Sequence, residues 1–439
     1  MSEAAAREIV AKLQAEGFQA LLAGGAVRDR LLGRPAQDFD VATDAHPEVV
    51  MRLFPHHTAV GAKFGVVLVH CLEASIEVAT FRTESSYRDG RHPGQVVYAA
   101  SAQEDVARRD FTINGLLLDP ATDEVLDFVG GRADLASGLV RAIGDADRRF
   151  EEDHLRMLRA VRFAARFGFA IEADTLAAIR RHASQITKIS HERVRDEMLK
   201  MLTEGRARRG FELLDASGLL RAILPEVARM KGVEQPPQYH PEGDVWVHTL
   251  MMIEALPHPV APALALGVLL HDVGKPPTFR RAPDRIRFDR HAAIGARIAE
   301  EICHRLRLSA RDTAEVVGLV GDHMKWTELP RMRESTRRRL LRLPDVESRL
   351  ELLRLDCAMS HGDLSLWELA QRLRAEVPPE ALRPPRLISG EDLIAWGYRP
   401  GPRFRQMLDA VEDAQLEGTL ADPASARRFI TDHFPMSGS

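Results

Sequence analysis

The hydrophobic pattern of this chain changes abruptly near residue 142, and that change constrains the fold more than any single motif. From residue 18 to about 141, short apolar runs such as QALLAGG, GVVLVHC and IEVATF alternate with turn residues, which predicts a small sheet with a few helices. From about residue 145 the chain reads as long helices rich in Arg, Ala and Leu. We therefore predict an α+β fold, with a small sheet-and-helix head followed by an all-helical body and a further helical unit.

The length of 439 residues predicts several packed units, because one hydrophobic core rarely grows that large. The segment KGVEQPPQYHPEGD, rich in Pro, Gly and charge, reads as a linker between two helical regions. We predict a head at residues 1–142, a helical body at 143–230, a helical third unit at 240–372 and a helical tail at 385–439.

Composition fits a globular protein of a reducing compartment. Apolar residues make up 45% and charged residues 28%, and the formal net charge of −4 means that any polyanion must be bound by locally clustered arginines. Cys71, Cys303 and Cys357 are scattered and form no CxxC pair. No apolar run is long enough to span a bilayer and no signal-peptide core is present. We expect a cytoplasmic protein with no membrane partner.

A glycine pair in the head predicts a phosphate-binding turn. In LLAGGAVRDRLLG, Gly24 and Gly25 follow an apolar run and precede a short helix, so backbone N–H groups can approach a triphosphate at the helix N-terminus. Arg28 would add a side-chain clamp. The alternative is a tight turn with no ligand.

Two aspartates follow in QDFDVAT. Asp38 and Asp40 are two apart in a strand-like run, so their side chains are expected on one face of the sheet. Neighbouring carboxylates repel each other unless a divalent cation lies between them, and two Mg²⁺ ions suit in-line nucleotidyl transfer. Glu77, in IEVATFR, is a candidate third catalytic carboxylate. The alternative is a solvated acidic strand end.

These words together resemble a known family. GGAVRD followed by DFDVAT resembles the first motif of the class II tRNA CCA-adding enzymes and their bacterial poly(A) polymerase relatives. RRDFTINGL resembles the second motif, which implies that Arg109, Asp110 and Asn114 bind the ribose. On a helix, Asp110 and Asn114 would share one face, although they could also form a helix-capping cluster. RTESSYRDGRHPGQVVYAA resembles the family's flexible loop, and DEVLDFVGGRADL its hinge motif.

EEDHLRMLRAVRFAARFGF resembles the family's nucleotide-selecting motif. Asp153 and Arg156 are three apart and are expected as neighbours on one helical face. An ionised Asp only accepts hydrogen bonds and an Arg only donates them, so the pair suits adenine and cytosine but not uracil or guanine. The alternative is an exposed ion pair. Arginines further along this helix, and others nearby, would contact the nucleotide or the RNA backbone: Arg159, Arg162, Arg166, Arg148, Arg149, Arg180 and Arg181.

The third unit carries the H…HD…D order of the HD phosphohydrolase superfamily. His248, the His271–Asp272 pair of LLHDVGKP and Asp356 are expected to hold a divalent transition metal or Mg²⁺. His291 and His323 fall where binuclear members place further ligands, so a second metal is a possibility. Lys275 is a candidate contact for the substrate phosphate. A histidine on an apolar helix is otherwise a core residue.

The resemblance covers nearly the whole chain and is to the long bacterial form of the family. HERVRDEMLKML resembles its last motif, and SGEDLIAWGYRPGP its C-terminal segment. It implies addition of C, C and A to tRNA from CTP and ATP, together with hydrolysis of phosphomonoesters or 2′,3′-cyclic phosphates at the HD unit. Open alternatives are a poly(A) polymerase, an enzyme that adds only the terminal A, and an HD phosphohydrolase with a non-catalytic RNA-binding head. Monomer and homodimer both remain open.

Overall fold

The computed structural model divides into two compact units. The first comprises Met1–Ala228 with Arg305–Arg307, and the second comprises Arg229–His304 with Leu308–Ser439. The structure describes residues 2–36, 38–59, 65–87, 93–99 and 101–435. Within these residues, no helix has the length and apolar character needed to cross a membrane.

The first unit begins with the predicted sheet. Its strands are β1 (Ala20–Ala23), β2 (Asp40–Thr43), β3 (His57–Thr58), β4 (Val66–Cys71), β5 (Ala74–Thr80), β6 (Arg82–Tyr87), β7 (Pro93–Tyr98), β8 (Leu116–Asp119), β9 (Glu124–Asp127), β10 (Leu139–Val140) and β11 (Ala170–Ile171). Its helices are α1 (Ser2–Ala15), α2 (Gly25–Leu31), α3 (Pro47–Leu53), α4 (Ala102–Ala107), α5 (Gly131–Ala136), α6 (Ala146–Glu152), α7 (Leu155–Phe167), α8 (Ala173–His182), α9 (His191–Thr203), α10 (Ala207–Ser217), α11 (Leu219–Ile223) and α12 (Pro225–Ala228).

A mixed sheet forms the centre of the head. Its strand order is β3-β4-β5-β2-β1-β8-β9, in which β2 and β5 are parallel and the other neighbours are antiparallel. Strand β1 is buried along its whole length, and α1 covers the sheet with an apolar stripe that includes the fully buried Ile9, Val10 and Leu13. The central position of β1 and β2 fixes the turns that leave them.

The helical body packs around α7. Eleven of its thirteen residues are buried, and it contacts α9 and α10. The apolar residues of α7 therefore meet other helices on most sides, which a sequence pattern rich in Ala, Leu and Phe makes possible. Gly168, in the left-handed conformation with φ 74°, ends the helix.

The second unit contains one small hairpin among helices. Its elements are α13 (Val245–Glu254), α14 (Pro262–Leu270), α15 (Lys275–Thr278), β12 (Phe279–Arg281), β13 (Ile286–Phe288), α16 (His291–Arg305), α17 (Ala310–Asp322), α18 (Glu334–Leu341), α19 (Val346–Met359), α20 (Ser365–Glu376), α21 (Pro379–Leu382), α22 (Gly390–Ala395), α23 (Pro402–Leu416) and α24 (Pro423–His433). Helix α14 is buried from Ala263 to Leu270 and packs against α13, α17 and α19.

The predicted fold class is confirmed, with local corrections. The motif read as RRDFTINGL runs directly into β8, which the sequence did not identify as a strand. The polar segment expected to be a flexible loop contains the antiparallel hairpin β6–β7, and residues 88–92 within it lie outside the described residues. Near the C-terminus, Ser389 and Asp392 form a capping box at the start of α22.

Candidate active site and metal centre

A polar cleft of about 1020 Å³ lies within the first unit. It is formed by the turn between β1 and α2, the segment before β2, the segment between α4 and β8, and helices α7 and α9. Among its lining residues are the predicted ones: Gly24, Gly25, Arg28, Asp38, Asp40, Arg109, Asp110, Asn114, Asp153, Arg156, Arg159 and Arg162. Residues up to 138 positions apart in sequence thus face one space.

The carboxylates of Asp38 and Asp40 line this cleft, and that of Glu77, which does not line it, lies on the neighbouring strand. Asp40 lies opposite Glu77 in the register of the parallel strands β2 and β5. Burial, together with the nearby Glu77 and Asp38 carboxylates, raises the pKa of Asp40 to about 6, while Arg109 opposes them. Mg²⁺ prefers oxygen ligands such as these carboxylates. Arg109 is the cation that offsets their negative charge at Asp40.

The predicted strand alternation of the two aspartates is wrong. Strand β2 begins at Asp40, which pairs with Ala23, so Asp38 lies ahead of the strand in exposed, irregular backbone. Asp38 is near enough to Asp40 to raise the pKa of Asp40. The two side chains nevertheless do not share a sheet face by strand alternation. Pairing of β2 with β1 begins only at Asp40, and that determines where the pleat starts.

The Gly24–Gly25 turn brings backbone close to the carboxylates. Gly24 has φ 68° and ψ −127°, and a Cβ at this position would lie 3.4 Å from Nη1 of Arg109 and 3.9 Å from Oδ2 of Asp40. Arg28, one turn into α2, is only 4% exposed and donates to Oδ1 of Asn114 at 2.6 Å. It also contacts the rings of Phe163 and Phe167 on α7.

Asp110 is the centre of a buried polar network. Asn114 Nδ2 donates to its Oδ1 at 3.1 Å, and Arg159 from α7 pairs with its Oδ2 at 2.7 Å. Burial by itself would raise the pKa of Asp110, but Arg159, Asn114 and the Phe111 N–H together lower it. The expected α-helix is absent here: residues Thr112–Asn114 form a short 3₁₀ turn. Asp110 and Asn114 nevertheless meet, because that turn folds the chain back.

Asp153 and Arg156 line the cleft without pairing to each other. Asp153 has extended backbone between α6 and α7, and its carboxylate pairs with Arg193 of α9 at 2.7 Å. Arg156 pairs instead with Glu152 at 2.8 Å and donates to the carbonyl of Arg108 at 3.1 Å. The predicted continuous helix is therefore wrong, since helix α6 ends at Glu152 and helix α7 begins only at Leu155.

A second site lies within the second unit, where imidazoles and carboxylates from several helices converge. Nε2 of His248 is 3.2 Å from Asp356, and Nε2 of His271 is 3.1 Å from Oδ2 of Asp272. The four residues come from α13, the end of α14 and α19. His248, His271 and Asp272 have ligand atoms within 4.8 Å of one another. Asp356 lies beside these three residues, next to His248. Burial by itself would raise the pKa of Asp356, but His248 lowers it.

The other oxygen of Asp272 faces a second imidazole pair. Oδ1 is 3.7 Å from His291 and 3.9 Å from His323, whose Nε2 atoms are 3.1 Å apart. Both of these histidines use Nδ1 on a backbone carbonyl, which leaves Nε2 facing the cluster. The sequence-predicted residues of this site are all brought together.

The donor set fits a divalent metal. Nε2 of His248 and Nε2 of His271 are buried and, although each lies near a carboxylate oxygen, neither forms a hydrogen bond of good geometry within the described residues. Such atoms are costly unless something binds them, and neutral imidazole with carboxylate is the donor chemistry of Zn²⁺, Mn²⁺ and Fe²⁺ sites. Lys275, considered as a phosphate contact, is 6% exposed and pairs with Asp272 at 2.6 Å.

Three family models match consecutive parts of the chain. They are the poly A polymerase head domain at residues 20–141, the probable RNA and SrmB-binding site of polymerase A at 168–231, and the HD domain at 245–350. Among curated proteins, the chain is 38% identical over 260 residues to a CCA-adding enzyme of Latilactobacillus sakei, covering 58% of this chain and 65% of that protein. It is 44% identical over 220 residues to the CCA-adding enzyme of Geobacillus stearothermophilus, covering 50% and 54%.

The alignments thus span about half to two thirds of the length of these curated relatives. Among solved structures, the CCA-adding enzyme of Bacillus stearothermophilus in complex with CTP matches 98% of both chains at 28% identity, with a TM-score of 0.72. The head and the RNA-binding segment of the chain thus match the poly(A) polymerase family, and the third unit matches the HD domain.

Within this family framework, two contacts in the cleft were not found from the sequence. Arg193, in a helix that the family motif marked only as structural, holds Asp153. Asp105 binds Arg108 at 2.6 Å and Arg109 at 3.0 Å, so a carboxylate of α4 orients the basic residues of the second family motif. The contact of Arg193 depends on how α7 and α9 pack and gave no signal, whereas the spacing of three and four residues from Asp105 to Arg108 and Arg109 is a signal that the sequence does carry. The segment predicted to be a linker belongs to the second unit. Its residues His240 and Glu242 lie beside His248 of the HD cluster.

Proposed function

We propose that this chain adds C, C and A to the 3′ end of tRNA from CTP and ATP, without a nucleic-acid template. The observation that carries the proposal is one cleft in which Asp38 and Asp40, with Glu77 on the neighbouring strand, lie beside a glycine turn, a buried Asp–Asn–Arg network and the residues Asp153 and Arg156. Relatives named CCA-adding enzyme, one of them solved with CTP, support this choice of substrate.

In the proposed reaction the terminal ribose 3′-OH attacks the α-phosphate of the nucleotide and pyrophosphate leaves. Asp38, Asp40 and Glu77 would hold Mg²⁺, two ions in our proposal, which supply charge neutralisation at the entering and departing oxygens. The N–H of Gly24 donates to the carbonyl of Leu116, so we propose that the N–H groups at the start of α2, beginning with Gly25, meet the triphosphate. The remaining contribution of the protein is to position the two reactants.

Ribose and base would be recognised from the opposite wall of the cleft. Asp110, Asn114 and Arg109 are the proposed ribose contacts, and Arg28, Arg159 and Arg162 complete the proposed nucleotide-binding set. Asp153 accepts a hydrogen bond from an exocyclic amino group and Arg156 donates to an unprotonated ring nitrogen, a pattern that adenine and cytosine offer. Uracil and guanine present a carbonyl beside a ring N–H and would leave these groups unsatisfied.

For the second unit we propose metal-dependent hydrolysis of a phosphoester. His248, His271, Asp272 and Asp356 would hold one divalent ion, and His291 and His323 with the other oxygen of Asp272 would hold a second. The ion would supply an activated water. Phosphomonoesters and 2′,3′-cyclic phosphates of RNA ends are the proposed substrates, and the cytoplasm is the proposed compartment.

The test uses purified full-length chain with Mg²⁺ and tRNAs ending before CCA, after C or after CC, with each nucleotide offered alone and together. Completion of CCA followed by a stop supports the proposal. One A added only to the CC-ended tRNA would make the chain an A-adding enzyme, and long A tails on any RNA a poly(A) polymerase. No incorporation, with phosphoester hydrolysis retained, would leave a non-catalytic RNA-binding head beside a hydrolase.

The predicted boundaries of the four domains, the basic track and the oligomeric state stay predictions. In the described structure Arg181 pairs with Asp147 and Arg149 with Glu152, so these arginines are partly neutralised before RNA binds. Stepwise loss of tRNA affinity on substitution of Arg148 and Arg180 would support the track, and sedimentation of the chain alone would decide between monomer and homodimer.

A further inference from the structure

The segment that precedes the metal centre of the second unit is not a spacer. Residues 232–244 close on themselves: Gln235 N–H donates to the carbonyl of Gly243, and an isolated bridge joins Glu234 to Asp244. Asp244 then caps α13, the helix that carries His248. We call residues 232–244 the strap. Its backbone is anchored to the metal-site helix at a distance of only a few residues from the ligand.

The strap places a carboxylate against the first ligand. Oε1 of Glu242 lies 2.8 Å from Nδ1 of His248, on the side of the ring opposite Asp356. The imidazole of His248 is fully buried and the side chain of Glu242 is 5% exposed. His240 donates from Nδ1 to the same Oε1 at 2.9 Å, which fixes the carboxylate in place.

The strap also reaches the second ligand group. Nζ of Lys275 donates to Oε1 of Gln235 at 2.5 Å and pairs with Oδ2 of Asp272 at 2.6 Å. Gln235 is 2% exposed, and its Nε2 donates to Oε1 of Glu242 at 3.5 Å. A continuous chain of polar contacts therefore runs from Asp272 through Lys275, Gln235 and Glu242 to His248.

We propose that Glu242 and Gln235 are positioning residues of the metal centre, which hold His248 and Lys275 in the orientation needed for metal binding. An imidazole that binds a metal through Nε2 must keep its proton on Nδ1, and a carboxylate facing Nδ1 favours that tautomer and fixes the ring plane. Gln235 holds Lys275 against Asp272, so the lysine orients a ligand and is not exposed to substrate.

This inference rests on the proposed metal site, and its test separates the two. The background is the full-length chain with Asp38→Asn and Asp40→Asn, so that the head carboxylates do not compete for the ion. Mn²⁺ binding is measured by calorimetry and by the electron paramagnetic resonance signal of free Mn²⁺. The variants are Glu242→Gln, which is nearly isosteric, and Gln235→Leu. The matched control is Glu234→Gln, another strap carboxylate, which is exposed and pairs with Arg281.

We expect Glu242→Gln to weaken Mn²⁺ binding by about 10- to 100-fold, Gln235→Leu by less, and Glu234→Gln not at all. Circular dichroism melting of the metal-free variants shows whether the fold is intact. Unchanged Mn²⁺ affinity in a folded Glu242→Gln chain would overturn the inference while leaving the metal site in place. Absence of Mn²⁺ binding in the background chain itself would overturn the proposed metal site. Restoration of most of the affinity by Glu242→Asp, which returns the charge, would support the positioning role.

Discussion

Asp40 and Glu77 occupy paired positions on two parallel strands, and the carboxylate of Glu77 makes ionisation of Asp40 less favourable. The register of β2 and β5 sets Asp40 against Glu77, and burial together with Glu77 raises the pKa of Asp40 to about 6. When both are ionised, the carboxylates of Asp40 and Glu77 repel each other, and a bound divalent cation would offset that repulsion.

Substitution of either member should remove polymerisation and spare the second unit. We expect Asp40→Asn to lower nucleotide incorporation by at least about 100-fold, because a metal ligand at the reacting phosphate contributes several kcal/mol. Glu77→Gln should lower it less. Hydrolysis of a phosphomonoester by the same variants should be unchanged, since the HD cluster lies in the other unit. Normal incorporation by Asp40→Asn would contradict the assignment of the head site.

The raised pKa of Asp40 predicts a pH dependence of Mg²⁺ stabilisation. A carboxyl group whose folded pKa is raised favours the folded state when protonated, so its ionisation destabilises the metal-free chain as pH rises through about 6. Mg²⁺ binds the ionised form and offsets that loss. We expect Mg²⁺ to raise Tm by about 3 °C at pH 7 and by far less at pH 5. Asp40→Asn is the control, and an equal Mg²⁺ effect at both pH values would count against the prediction.

Base selection should depend on Arg193 although this residue lies on another helix. Its ion pair with Asp153, at 2.7 Å, fixes the carboxylate that faces the cleft. We expect Arg193→Gln to reduce kcat/KM for CTP and ATP by about 10-fold and to narrow the preference over UTP and GTP, the loss of a charged hydrogen bond costing about 1.5–3 kcal/mol. Arg195→Gln on the same helix, where Arg195 pairs with Asp196, is the control. Unchanged nucleotide preference would remove Arg193 from base selection.

A buried ion pair should be the costliest one to break in the helical body. Nε of Arg162 lies 2.6 Å from Glu197, and both side chains are under 10% exposed. Glu197→Ala should lower the stability of the first unit by about 3 kcal/mol, because it leaves a buried guanidinium without that partner. Glu212→Ala, which breaks the more exposed pair with Arg208, should cost less than about 1 kcal/mol. Calorimetric melting compares the two, and equal losses would show that Arg162 finds another partner.

Gly274, in the HDVGK stretch, should tolerate no side chain. A Cβ there would lie inside the contact distance of the His291 carbonyl and 2.6 Å from the backbone nitrogen of Gly295. We expect Gly274→Ala to destabilise the second unit by about 3 kcal/mol and to abolish phosphoester hydrolysis, with nucleotide addition retained. The control is Gly321→Ala, whose Cβ would meet Ala296 at an ordinary 3.4 Å. Hydrolysis at the normal rate by Gly274→Ala would show that α16 can shift away without loss.

The sequence by itself predicted many of the strands and helices, the chemistry of the two sites and the family that the chain resembles. Apolar runs predicted the strands β1, β2, β4 and β5, and helical periodicity predicted the helical body and the helical third unit, because both patterns are local consequences of burying one face. Strand β8 and the hairpin β6–β7 were not predicted. Motif words identified the glycine turn, most of the polar residues of the cleft and the six residues of the HD cluster, since their chemistry shows in residue type.

Only the tertiary structure decided which of these residues are partners. Arg156 pairs with Glu152 and not with Asp153, because the helix breaks at that point; Asp38 stands outside the strand, because pairing with β1 begins at Asp40. The supporting residues Arg193, Asp105, Gln235 and Glu242 have no motif of their own. The roles of Arg193, Gln235 and Glu242 follow from how helices cross and how the strap folds back, and such contacts leave no periodicity that a single sequence can display. Asp105 differs, because its partners Arg108 and Arg109 are only three and four residues away.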